Sequence, residues 1–282
     1  MANGNAAFIY LPGDHPIPPQ PFASNLALGD SWFWYPTNNL VEALVRHMKD
    51  DAAPTQLMGY NGATLDSLTS QNGQYSKEYN WELRPDNFQY ISCVFVSGAG
   101  NDAVDYKLSL KPDCSAITNP DDCFDAQSLD DFLRQLRGLF GRLIHDVWWA
   151  AEANQRLRMP KIFLHTYDYP VPDGRGFKLP GIKVTGPWLK NSMDAAHVPD
   201  DFDFRNAVTR TLIDRLAGML QTLHQPERNV FLIDTRGALR SDKANYMTDW
   251  DNELHPTPSG FDTVVTSKWL PQLQQYAPEL LK

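Results

Sequence analysis

Leu26-Ala27-Leu28-Gly29-Asp30-Ser31-Trp32 sets an apolar run against a glycine, an acid and a serine. Short, continuously apolar runs bounded by turn residues read as strands buried on both faces. The first strand is predicted over Asn25–Leu28, with Gly29 permitting a tight backbone and Ser31 just past the strand end. The same pattern recurs along the chain. Thr55–Gly59 runs into Asn61-Gly62-Ala63-Thr64-Leu65, and Tyr90–Val96 runs into Ser97-Gly98-Ala99-Gly100-Asn101-Asp102. Lys161–His165 and Asn229–Ile233 complete five predicted strands, four of them followed at once by a Gly or Asp cluster. An α/β sheet places its functional loops at such strand ends.

Between the strands lie amphipathic stretches, so the fold class is α/β with a mostly parallel five-stranded sheet. The clearest helix is predicted over Leu129–Arg156, capped by Ser128 with Asp131 at the third helical position. Leu129, Phe132, Leu133, Leu136, Phe140, Leu143, Ile144 and Val147 form its apolar stripe. Shorter stripes mark Leu40–Met48 and Ala207–Leu223. Two stretches resist regular structure, an acidic connection within 103–127 and a Pro- and Gly-rich one within 169–190. Both read as insertions of the kind that form lids or binding loops. No linker or repeat divides the chain, so one domain over 1–282 is expected.

With 42% hydrophobic and 21% charged residues, the 282-residue chain has an ordinary globular composition. A net charge of −9 and the absence of a Lys/Arg cluster argue against a nucleic-acid partner. No apolar run is long enough to span a membrane. Met1 to Gln20 lacks a basic segment followed by an apolar core, so a cytoplasmic protein is expected, with signal-independent export as the alternative. Cys93 sits in an apolar run and reads as core. Cys114 and Cys123 flank a polar loop and read either as reduced thiols or as a small bridged loop in an oxidising compartment.

A fourth polar block, Asp249-Trp250-Asp251-Asn252-Glu253-Leu254-His255-Pro256-Thr257, precedes the last predicted helix. A serine hydroxyl needs an adjacent base to become a nucleophile, and histidine, titrating near pH ~6.5, suits that role. Taken in order, the four blocks resemble the SGNH (GDSL-type) hydrolases over residues 25–266. Gly29-Asp30-Ser31 is similar to the block that carries that family's nucleophile. Gly62-Ala63-Thr64 is similar to its Gly-Asp-Thr run, Asn101 to its asparagine and His255 to its base. The resemblance implies a flavodoxin-like three-layer sandwich and an acyl hydrolase acting on carboxylic esters. It implies catalysis by Ser31 and His255, with an oxyanion hole formed by Ser31, Gly62 and Asn101, and no cofactor or metal. The expected partner is a small-molecule, lipid or acylated-glycan ester.

The chain departs from the family pattern twice. Ala99 stands where the third block has a glycine, and Asn252 stands where the fourth has its acid, three residues before the histidine. Spacing therefore points to Asn252 as the group orienting His255, whereas the charge on an imidazolium points to Asp251 or Asp249. Asp251 is favoured, with Asn252 as the alternative. The missing acid also admits a catalytically weak relative that binds an acylated or glycan ligand, and acyl transfer would use the same residues.

Other readings are weaker on the residues. Gly98 to Ala103 fits a dinucleotide fingerprint, but it lies on the third strand and would run into a loop. Asp249, Asp251, Glu253 and His255 could ligate a metal, but lack the glycine of a calcium loop. His15, His47, His145, His165, His197 and His224 show no paired ligand spacing. Trp32 and Trp34 suit an acyl pocket or simple packing equally, and Asp168 suits an Asx turn better than substrate contact.

Overall fold

The computed structural model describes residues 9–11, 22–36, 38–155, 158–177 and 185–282. Its strands are β1 (Ile9–Tyr10), β2 (Asn25–Gly29), β3 (Thr55–Gly59), β4 (Cys93–Val96), β5 (Lys161–His165) and β6 (Val230–Ile233). They form one sheet in the order β1-β3-β2-β4-β5-β6, parallel at every pairing. The fold class is therefore α/β, as expected. Without the short edge strand, the order is the 2-1-3-4-5 of doubly wound, flavodoxin-like sheets. The chain reverses its winding direction at β2 and β4, which places the principal crevice beyond Gly29 and Val96.

Every residue of β2, β3 and β4 is buried, which explains their unbroken apolar or small-residue runs. Short helices follow them: α1 (Leu40–Val45), α2 (Leu65–Thr69), α3 (Ser76–Glu82), α4 (Pro85–Phe88) and α5 (Gly100–Asp105). The long α6 (Ala126–Ala153) precedes β5; α7 (Leu189–Ala195) and α8 (Phe202–Gln221) precede β6; α9 (Pro258–Val264) and α10 (Leu270–Tyr276) close the chain. The α6 stripe buries Phe132, Leu136, Phe140, Leu143 and Val147, each contributing about 1.5–3 kcal/mol of apolar burial.

The structure corrects several predicted boundaries. The sheet has a sixth strand, β1, whose two residues are too few to show a period. The third strand begins at Cys93 rather than Tyr90, because the Tyr90 ring lies outside the sheet and stacks on Phe22 at 4.5 Å. Helix α6 starts three residues before Leu129: Asp125, not Ser128, is the cap, accepting the Ser128 N–H at 2.7 Å. It ends at Ala153, and the predicted end at Arg156 lies outside the described residues. The acidic stretch 103–127 is less irregular than expected, since α5 and two 3₁₀ turns (Lys107–Ser109 and Pro120–Cys123) occupy part of it. Of the second stretch, residues 178–184 lie outside the described residues.

Cys114 and Cys123 lie together and are unbridged, the Cys114 Sγ 3.5 Å from the Cys123 carbonyl. Burial, with the facing Cys114, pushes the Cys123 thiol up to about 12.

Ala99 explains why a glycine would suit the turn between β4 and α5: its φ is 94°. A left-handed backbone costs an L-residue about 1–2 kcal/mol, and glycine returns roughly 0.5–1 kcal/mol of that in extra chain entropy. We therefore expect Ala99→Gly to raise the melting temperature by about 1–3 °C, measured by scanning calorimetry. A lower melting temperature would show that the alanine methyl contributes more in packing than the turn costs in strain.

Candidate active site

Three features at the carboxyl end of β2 deliver Ser31 to the crevice. Gly29 presses against β4: a Cβ there would stand 2.6 Å from the Ser97 carbonyl oxygen, so no side chain fits without backbone movement. The glycine is required for this close approach rather than for a special φ. Asp30 then turns inward, accepting hydrogen bonds from the Ser97 hydroxyl at 2.8 Å, the Trp32 N–H at 3.0 Å and the Tyr167 hydroxyl. The backbone closes on itself through Phe33 N–H to the Asp30 carbonyl at 3.1 Å, leaving Ser31 facing out between these anchors.

His255 arrives from the loop before α9. Its Nε2 lies 2.7 Å from Ser31 Oγ, and its Nδ1 lies 2.9 Å from Asn252 Oδ1. The backbone N–H groups of Leu254 and His255 donate to that same Oδ1 at 3.0 and 3.1 Å, which identifies it as the carbonyl end of the amide. A carbonyl oxygen only accepts, so Nδ1 carries the proton and Nε2 is free to accept from the serine. Two further contacts hold the ring and its loop. Tyr35 stacks on the imidazole at 4.2 Å, and Trp32 Nε1 donates to the Leu254 carbonyl at 2.9 Å.

The structure therefore puts Asn252, the alternative orienter, against the ring and departs from the expectation for Asp251. The Asp251 carboxylate sits one step further back, accepting from the Tyr35 hydroxyl at 2.5 Å and from Asn252 Nδ2 at 3.3 Å; Asn252 Nδ2 also donates to the Tyr35 oxygen at 2.9 Å. The reason is geometric. In this loop the side chain three residues before His255 folds back onto the 254–255 backbone. Asp249 is committed elsewhere, to Arg240 at 2.6–2.9 Å, and that guanidinium holds its carboxyl below the usual range. Burial, with no charged partner to oppose it, pushes His255 down to about 3. The same burial with the Asp251 partner raises the Tyr35 hydroxyl.

Gly62 and Asn101 line the same cavity as Ser31 and His255, a space of about 340 Å³ that Tyr35, Asn61, Phe177 and Trp188 also border. Gly62 has a left-handed φ of 77°. Asn101 Nδ2 donates to the Ala63 carbonyl at 3.0 Å, and both oxygens of Asp102 accept the Leu65 N–H at 3.1 Å. These bonds clip the third block to the second, so the glycine and the asparagine hold one spacing. Burial raises the Asp102 carboxyl to about 7.

Sequence reasoning missed several residues of the site. Tyr35, four positions after Ser31, stacks on a ring from near the other end of the chain, a contact that no local spacing marks. Phe177 and Trp188 come from the second insertion and carry no local signal. Glu253, considered only as a metal ligand, instead accepts the N–H groups of Gly174, Trp188, Leu189 and Lys190 at 2.6–3.0 Å. It thereby ties the histidine loop to the segment that roofs the cavity. Asp168 accepts the N–H groups of Tyr169, Gly237 and Leu239 at 2.6–2.7 Å, as a turn residue does, and also borders a cavity beside Ser31. Trp32 is buried beside the crevice, edge-on to Tyr167, whereas Trp34 is 37% exposed. A short helix does open at Gly100, contrary to the reason given against a dinucleotide site, but its Asp102 is spent on Leu65.

No family model matches the chain, and no curated protein matches its sequence. Solved structures do resemble it. One is a GDSL-like lipase from Bacteroides thetaiotaomicron, at 14% identity and TM-score 0.41, covering 89% of this chain and 87% of that one. A carbohydrate acetylesterase family member from Sinorhizobium meliloti is similar at 13% identity and TM-score 0.49, covering 91% and 100%. A family 3 carbohydrate esterase from Clostridium thermocellum is similar at 12% identity and TM-score 0.45, covering 90% and 99%. The resemblance to the SGNH hydrolases rests on this chain's own sheet order and on the convergence of its four blocks at one crevice.

The neutral orienter has a measurable consequence. By NMR titration, we expect the His255 ring to remain neutral at pH 5 in the wild-type protein. A carboxylate at position 252 favours the charged ring, so Asn252→Asp should raise its pKa by roughly 1–3 units. Asp251→Asn should move it far less, because that charge reaches the ring only through Asn252 and Tyr35. A larger shift from Asp251→Asn than from Asn252→Asp would restore Asp251 as the principal partner.

Proposed function

We propose that the protein is a serine hydrolase of carboxylic esters, working through an acyl-enzyme. The observation that carries this reading is the relay from Ser31 Oγ to His255 Nε2 and from His255 Nδ1 to Asn252 Oδ1, at 2.7 and 2.9 Å, opening on a cavity. Ser31 Oγ attacks the ester carbonyl carbon as its proton passes to His255 Nε2. The carbonyl oxygen becomes an oxyanion facing the N–H groups of Ser31 and Gly62 and the Asn101 amide. As the intermediate collapses, the bond to the alcohol oxygen breaks and His255 Nε2–H protonates that oxygen. Water then attacks the acyl-enzyme by the same route in reverse order, releasing the acid and restoring Ser31. No step requires a cofactor.

The imidazolium formed on the way meets no adjacent carboxylate. Its charge is offset by the stacked Tyr35 face and by Asp251 behind the Asn252 amide. A buried, neutral histidine at rest is competent as a base well into the acid range, so the acid limb of kcat/KM should fall below the ordinary histidine value.

Ser31→Ala is expected to abolish both ester hydrolysis and labelling by a fluorophosphonate while circular dichroism stays unchanged. Residual labelling of that variant would move the nucleophile elsewhere. Asn101→Ala is expected to lower kcat by about 10²–10³ with little change in KM, because bonds to an oxyanion strengthen mainly in the transition state. A variant that loses KM but keeps kcat would assign Asn101 to ground-state binding.

A further inference from the structure

Two cavities meet at Ser31, and different residues line them. Ser31, Asn101 and Leu254 border both. The larger, about 340 Å³, contains His255 and Gly62. The smaller, about 50 Å³, is lined by neither. Its walls include Trp32, Leu108 and Leu189, and Leu212, Ile213 and Leu216 of α8 line it too. The acidic groups at its edge are already occupied: Asp30 by Ser97 and Tyr167, and Asp168 by the Gly237 and Leu239 N–H groups. Thr209 is likewise turned away, donating to the Asn206 carbonyl at 2.9 Å. Among the described residues no lysine, arginine or histidine borders this space, so it offers a ligand hydrocarbon surface.

The chemistry assigns the two sides. The alcohol oxygen must reach His255 Nε2 to take its proton, so the leaving group occupies the cavity that His255 lines. The acyl chain, on the opposite bond of the same carbonyl carbon, then points into the smaller one. Apolar cavities of ~150 Å³ take a six-carbon ring; one of about 50 Å³ takes on the order of two or three carbons. We infer that the pocket between Ser31 and helix α8 is an acyl-chain site that selects esters of short, unbranched acids, propionyl to butyryl. This inference rests on the ester-hydrolase reading and adds to it the acid half of the substrate. The alcohol half faces Tyr35, Phe177 and Trp188, where the larger volume accommodates a ring.

The test is a series of p-nitrophenyl esters from acetate through propionate, butyrate, hexanoate and octanoate, assayed on the full chain. The expected kcat/KM rises roughly fourfold per methylene up to butyrate, the value of burying one CH₂, and falls at hexanoate and beyond. Ile213→Trp fills the pocket and should lower the butyrate-to-acetate ratio to near one or below. Leu216→Ala deepens it and should move the maximum towards hexanoate. Ratios measured on one preparation do not depend on the fraction folded, and Leu108→Phe, on another wall, is a second filling variant should Ile213→Trp fail to accumulate. Labelling of Ser31 by a fluorophosphonate is read in parallel. Labelled, active protein whose ratio is flat across the series, or unchanged in the filling variants, overturns the pocket and leaves the hydrolase standing. Absence of labelling and of hydrolysis on every ester overturns the hydrolase reading and the pocket with it.

Discussion

The crevice depends on one buried carboxylate. Asp30 accepts from Ser97 after β4, from Tyr167 after β5 and from the Trp32 N–H in its own turn. Three strand ends are therefore joined at a single group, one residue before Ser31. Burial raises its pKa, and the hydrogen bonds from Tyr167, Ser97 and Trp32 pull against that rise. Such a group is costly to leave unpaired in an apolar surround. Its partners are accordingly drawn from separate loops, and the position of Ser31 follows from theirs. The contact of Gly29 with Ser97 is the steric half of the same constraint, since a side chain at 29 would push β2 and β4 apart.

The second organising feature is the double use of the histidine loop. Asn252 folds back onto the Leu254 and His255 N–H groups and orients the ring with the same oxygen. Glu253, the next residue, faces the other way and caps the start of α7 with both carboxylate oxygens. An anion at a helix N-terminus satisfies donors that have no partner within the helix. Here it also fixes Trp188 at the edge of the cavity. The His255 ring and the segment bordering the cavity are thus held by adjacent residues, Asn252 and Glu253, and a shift in one is transmitted to the other.

A neutral orienter gives up charge and keeps geometry. An aspartate at 252 would stabilise the imidazolium directly, but it would stand beside Asp251 and replace the amide N–H that Tyr35 and Asp251 now receive. In the observed arrangement the negative charge is retained one bond chain further away, through Tyr35 and the Asn252 amide. That charge is weakened by distance, while the tautomer needed for Ser31 remains fixed by a carbonyl oxygen that can only accept.

Sequence alone determined the parallel α/β class, five of the six strands and the four polar blocks, because each of these is local. An apolar run that is buried on both faces has no polar position, and the Gly, Asn and Asp residues that end it mark the turn. Ser31, Gly62, Asn101 and His255 were legible for the same reason, each beside a strand end or before a helix. What sequence could not determine was which side chains meet across loops. Asn252 rather than Asp251 reaches the imidazole because of how residues 252–255 fold back. Asp249 is drawn off by Arg240, nine residues earlier, and Tyr35 stacks on a ring more than two hundred residues away. Helix α8 supplies one wall of the apolar pocket only because the fold brings Leu212, Ile213 and Leu216 to the cavity that Ser31 borders. The Asn252 turn is local, and spacing from His255 marks it; the contacts of Asp249, Tyr35 and α8 are long-range, decided by the packing of the helices and loops around the sheet, and no local pattern encodes them.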